Sequence, residues 1–170
     1  MSGENGQTDT SKNANPFVVD VTNSFRSKAT ILFVNSGEWK RIEGGILDAI
    51  DAEIEDTDLQ KRHLFRFGNV SKFEMWNEEG QNEGHWTNDD EMISRFSDDN
   101  YDEILRLLRN DLDIPLVLWL DDFHPAMNTE REGYPDSMWL LRHFARVHER
   151  EGEHSTRKTI IISGENVPLM

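Results

Sequence analysis

Leu116-Val117-Leu118-Trp119-Leu120-Asp121-Asp122 decides the fold, an apolar run that ends in paired acids. A short unbroken apolar run, flanked by Pro115 on one side and Phe123-His124-Pro125 on the other, reads as a strand buried on both faces. Parallel sheets covered on two sides are built from such strands. Two further runs have the same character. Thr30-Ile31-Leu32-Phe33-Val34 is ended by Asn35-Ser36-Gly37, and Thr159-Ile160-Ile161-Ile162 is ended by Ser163-Gly164. Leu64, Phe65 and Phe67 before Gly68-Asn69, with Phe73, Met75 and Trp76 after, read either as a hairpin with a two-residue turn or as two separate strands.

Helical spacing separates these runs. Phe17 to Phe25 follows Pro16, which suits a first helical turn. Trp39, Ile42, Ile46, Ala49 and Ile50 share one face, so Trp39 is expected in the core with Trp119 and Trp139. Gly44 and Gly45 interrupt that face, each costing about 1 kcal/mol relative to Ala. They mark a break or a close packing contact. Asp51, Glu53, Glu55, Asp56 and Asp58 follow as an acidic exit that reads as solvated surface. Ile104 to Leu112 forms an amphipathic helix, and Pro135-Asp136 opens another carrying Met138, Leu141, Phe144, Ala145 and Val147. From about 77 to 100 the chain is a long acidic loop, with a short helix at Met92 to Phe96.

Strands alternating with helices predict an α/β domain, a parallel sheet with flanking helices in three layers. One domain is expected over 16–170, after a disordered polar leader at 1–15. No helical pattern follows the last strand, so the sheet is expected to be incomplete at that end.

Composition narrows the functional classes. The 170 residues carry no cysteine, which excludes disulfides and thiolate chemistry. The net charge is -15, from 33 carboxylates and 18 Lys and Arg. Such a surface repels nucleic acid and anionic membranes. Partners would be basic proteins, metal ions or nothing charged, and the acidity also serves solubility. No stretch reaches the roughly 18 apolar residues of a membrane span, and the leader has no apolar core of a secretory signal. A cytoplasmic location is expected.

Asp121 and Asp122 are the leading candidates for chemistry. Acids at the end of a buried parallel strand stand where such folds bind ligands. In nucleotide hydrolases this is the Walker B position, where an Asp holds the metal. A Walker B site needs a G-x-x-x-x-G-K-[ST] loop after the first strand. Here that junction reads Val34-Asn35-Ser36-Gly37-Glu38-Trp39-Lys40-Arg41, with Glu38 where phosphate would sit. The nucleotide fold is therefore expected to be degenerate.

Alternatives remain at this point. Asp121, Asp122 and His124 form a compact oxygen and nitrogen ligand set suited to a metal-dependent hydrolase. A sensor that binds nucleotide without hydrolysis is the other. His143 and His148 are spaced for poorly matched helix faces. His85 reads as solvent-facing. Trp86, beside Gly84 in the acidic loop, reads as an exposed anchor for a protein contact. No Gly-x-Ser-x-Gly elbow frames Ser36, Ser137 or Ser163.

The last third resembles a known family. Leu116 to Pro125, then Trp139-Leu140-Leu141-Arg142-His143-Phe144-Ala145, then Arg157-Lys158-Thr159-Ile160-Ile161-Ile162-Ser163 and Pro168 are similar to the N-terminal domain of the AAA ATPases named for a hypothetical chloroplast reading frame. Trp76 and Gly80 match a further W…G pair, and Glu38 and Arg41 keep part of a Glu-Glu-x-x-Arg pattern. The resemblance spans about 20–170 and is specific over 116–168. It implies an AAA-like domain without a working Walker A loop, serving an accessory, assembly or regulatory role. Asp122, Phe123, His124, Pro125, Arg157, Lys158 and Thr159 are the positions that carry over. It also implies that Mg2+ and ATP act through a partner ATPase domain. No cofactor of this chain's own is assigned, and a protein partner, that ATPase domain or a second copy are the expected partners. A plastid member of the family would reside in the stroma.

Overall fold

The computed structural model describes residues 15–68, 73–78, 84–88, 113–121 and 157–165. The expected helices over 92–96, 104–112 and 135–147, and the leader up to residue 14, lie outside them.

Helix α1 spans Pro16–Arg26 and starts as the sequence indicates: Pro16 opens the first turn. Asn15 caps it, its side-chain oxygen accepting from the Phe17 N–H at 3.0 Å. Asn15 thus belongs to the helix and not to the leader. Strand β1 is Ile31–Asn35, and helix α2 is Trp39–Ile54, unbroken through Gly44-Gly45. Close packing explains Gly45. A Cβ built there would lie 2.3 Å from the Phe17 ring of α1, so the small residue lets the two helices meet.

Strands β2 (His63–Gly68), β3 (Glu74–Asn77), β4 (His85–Thr87), β5 (Leu116–Asp121) and β6 (Lys158–Gly164) complete a six-stranded mixed sheet in the order β1-β6-β5-β2-β3-β4. The first four in that order are parallel. β2, β3 and β4 form an antiparallel meander. Phe65 pairs with Met75 and Arg66 with Glu74. That register centres the connection near residue 70, so a two-residue turn at Gly68-Asn69 is ruled out. The stretch read as a long loop from residue 77 also carries β4.

Alternation divides the core. Leu64, Val117, Trp119 and Ile161 face α1 and α2, and pack with Val21, Phe25, Ile42, Ile46, Ala49 and Ile50. On the other face, Phe65, Leu116, Leu118, Leu120, Ile160 and Ile162 are equally inaccessible at 0% exposure. Burial on both faces holds for β5 and β6, but not for β1: expected to share it, β1 is the edge strand of the sheet, only partly buried, with Phe33 37% exposed.

Two further expectations fail. Trp39, at the first turn of α2, is 46% exposed and stands outside the core. A residue at the end of an apolar stripe extends past the sheet that the stripe covers. Glu53, read as solvated, is 2% exposed. It lies on the buried face of α2 one turn beyond Ala49 and Ile50, where helical geometry turns it inward.

The meander is held at its rim by Lys61, which reaches Asp51 at 2.9 Å and Glu78 at 3.0 Å. Burial pulls the Lys61 ammonium down, yet the hydrogen bonds to Asp51 and Glu78 outweigh it and leave its pKa raised. The Lys61 hydrogen bond holds Glu78 below the usual carboxylate range, with help from the Trp76 indole. A lowered carboxylate pKa stabilises the fold above the unfolded pKa, and that contribution is lost as pH falls through the folded value. The pair is half exposed, so its worth is at most about 1 kcal/mol. Glu78→Gln is expected to lose that much at neutral pH and to match the parent protein in acid, as read by urea unfolding at several pH values.

Candidate functional site

Of the residues singled out for chemistry, the C-terminal ends of the parallel strands hold Asp121 among the described residues. Asp121 ends β5, and its register partner on β6 is Ser163. The Ser163 hydroxyl donates to Asp121 Oδ1 at 3.3 Å and accepts the Trp119 indole N–H at 2.7 Å. Trp119 and Ser163 are both fully buried. Alternation along β5 puts Trp119 and Asp121 on the helix-covered face, so this relay points toward the β1–α2 junction.

At that junction two backbone N–H groups, of Glu38 and Trp39, are engaged. The Ser36 hydroxyl accepts the Glu38 N–H at 3.1 Å, and the Gly37 carbonyl accepts the Trp39 N–H at 2.9 Å. Glu38 occupies the N-cap and pairs with Arg41 at 3.3 Å. A Cβ built on Gly37 would lie 2.7 Å from Glu165 Oε1. Two carboxylates therefore stand at the junction, with Asp121 on the nearby end of β5. An anion arriving there meets acids, although no side chain caps the start of α2.

Trp119→Ser163→Asp121 is a relay from a buried indole to a half-buried acid, and Ser163 is its hinge. Ser163→Ala leaves the indole N–H without an acceptor in a site closed to water. The expected loss is about 1–3 kcal/mol in urea unfolding.

The carried-over positions do not assemble into one site. Lys158 and Thr159 start β6, directly after Arg157, at the far end from Asp121. Arg157 donates to Glu53 and to the Gln60 carbonyl. Thr159 donates to the Ala29 carbonyl at 2.9 Å and accepts from Arg62 at 2.8 Å. Lys158 is buried. Asp122, Phe123, His124 and Pro125 lie outside the described residues. The Asp121-Asp122-His124 metal set thus has one described member. Among the described residues no group of three His, Cys, Asp or Glu is placed to hold a metal ion.

Arg62 and Glu53 form the centre that sequence reading missed. The Arg62 guanidinium grips Glu53 through Nε at 2.8 Å and Nη2 at 2.9 Å, and stacks over the Phe25 ring at 4.4 Å. Burial lowers the Arg62 pKa, the Glu53 bonds oppose this, and the Arg157 charge adds to the lowering. In sequence, Arg62 is one letter of the run Lys61-Arg62-His63. Nothing local marks it as internal.

Trp86 and His85 also differ from expectation. Trp86 is half-buried and packs against the core, edge-on to Trp76 at 5.3 Å and tilted against Trp119 at 6.2 Å. Its indole donates to Glu43 at 2.9 Å, and Arg66 lies over its ring at 4.2 Å. It is therefore not an exposed anchor. His85 is half-buried, with its Nδ1 buried and without a partner among the described residues. Placement in β4 brings both onto the sheet.

No family model and no curated protein matches the chain. Among the described residues, no helix is long and apolar enough to cross a membrane.

Proposed function

We propose that this chain is a degenerate AAA-like domain that acts as an accessory or regulatory module through a protein partner and does not itself turn over nucleotide. The acidic β1–α2 junction carries this reading. Where a phosphate cradle would offer N–H groups and a lysine, this chain presents Glu38 and the Glu165 carboxylate against Gly37. The parallel order β1-β6-β5-β2, with an acid ending β5, is compatible with a P-loop-like ancestry. The relay that tethers Asp121 to Ser163 and Trp119 suits a structural role for that acid.

A charge of -15 favours a partner with a basic surface. Mg2+ and ATP then belong to a partner ATPase domain. Phosphate release from Mg-ATP tests the catalytic half of this reading. No release above the buffer rate is expected. Turnover that disappears in Asp121→Asn would refute it.

A further inference from the structure

A cavity opens at the other end of the parallel strands, beside the C-terminus of α1, with a volume of about 640 Å³. Binding sites for small molecules are commonly about 300–1,000 Å³. Arg26, Lys28 and Arg157 line it, over apolar atoms of Phe25, Leu59 and Pro115. Glu53 and Asp58 are its acids. Glu53 is already engaged by both Arg62 and Arg157, so cationic charge is in surplus there. Glu55 and Asp56 follow α2 on the same turn but do not line the cavity. In a chain of net charge -15, a cationic pocket with an apolar floor is out of character.

The cations are not used up in capping α1. Its last carbonyls are taken by backbone: Asn23 O by the Ser27 N–H, Ser24 O by the Ala29 N–H, and Phe25 O by the Lys28 N–H. Arg26 donates through one nitrogen to Ala52 O. Among the described residues neither Arg26 nor Lys28 forms a salt bridge. Lys28 also holds a left-handed backbone, φ 59°. Glycine is the inexpensive residue just past a helix end in that conformation. The chain instead keeps a lysine there, among the residues that line the pocket.

We infer that this pocket binds a small organic phosphate monoester, its dianionic head between Arg26 and Lys28 and its apolar body on Leu59 and Pro115. Guanidinium forks match phosphate oxygens, and an ammonium supplies a point charge beside them. The site is separate from the acidic junction at the opposite end of the strands.

Calorimetric titration of the full chain with phenyl phosphate, at constant ionic strength, tests this. Saturable binding is expected, about tenfold tighter than inorganic phosphate because of the apolar floor. Lys28→Gly should weaken it by at least about tenfold while its melting temperature holds or rises, since glycine relieves the left-handed backbone. Arg26→Ala should weaken binding as well, and Asp121→Asn should leave it unchanged. Absence of saturable heat up to about 10 mM ligand would overturn the inference. So would an affinity that Lys28→Gly and Arg26→Ala both leave intact.

Discussion

Glu53→Ala is expected to cost about 3–5 kcal/mol of folding free energy, the range for breaking a buried ion pair from one side. The cause is what remains. The Arg62 side chain is 1% exposed and would keep its charge with no carboxylate to answer it. Its other acceptors are neutral: Thr159 Oγ1 at 2.8 Å, and the Leu116 and Phe25 carbonyls at 3.4 Å each. Arg157 would add like charge to the same space. A domain of this size has only about 5–15 kcal/mol in hand, so a large fraction of its stability would go. Glu53→Gln keeps the shape and one acceptor oxygen, and should fall between. The double variant Glu53→Leu with Arg62→Met should be less damaging than Glu53→Ala, because it removes the stranded charge. Urea unfolding of the four proteins measures this. A loss under about 1 kcal/mol in Glu53→Ala would mean that the network is solvated in solution.

Trp119→Ala is expected to cost a similar amount, about 3–5 kcal/mol, by a different route. The ring is fully buried between β5 and the two helices, and touches Trp86 in a row that continues to Trp76. Removing it opens a cavity and strips the Ser163 hydroxyl of its donor. Trp119→Phe keeps most of the volume and loses the N–H, so it should cost roughly 1–2 kcal/mol. The ordering Ala worse than Phe separates packing from the hydrogen bond. Equal losses would mean that the hydrogen bond alone matters.

The centre of the parallel sheet was legible because β5 and β6 are buried on both faces. Leu116–Asp121 and Lys158–Gly164 have no solvent side to break the apolar run. Helix α2 was legible from its stripe, but its ends were not. Trp39 projects beyond the sheet, and Glu53 turns inward to meet an arginine from another segment. Long-range pairing of this kind leaves no local signature: Arg157 and Glu53 are 104 residues apart. β4 was missed for a related reason. His85-Trp86-Thr87 is three residues long, and its strand character comes from pairing with β3. At the site, Asp121 stood out as an acid closing an apolar strand. Its partner Ser163 did not, because strand register, not sequence, sets the two side by side.

The most direct test of the proposed role is calorimetric titration of the chain with Mg-ATP, run in parallel on Asp121→Asn. The acidic β1–α2 junction predicts no saturable heat that depends on Asp121, up to about millimolar nucleotide. Saturable binding at about micromolar Kd that is lost in Asp121→Asn would contradict the account. It would mean that a metal-bound nucleotide seats at the strand ends despite Glu38 and Glu165.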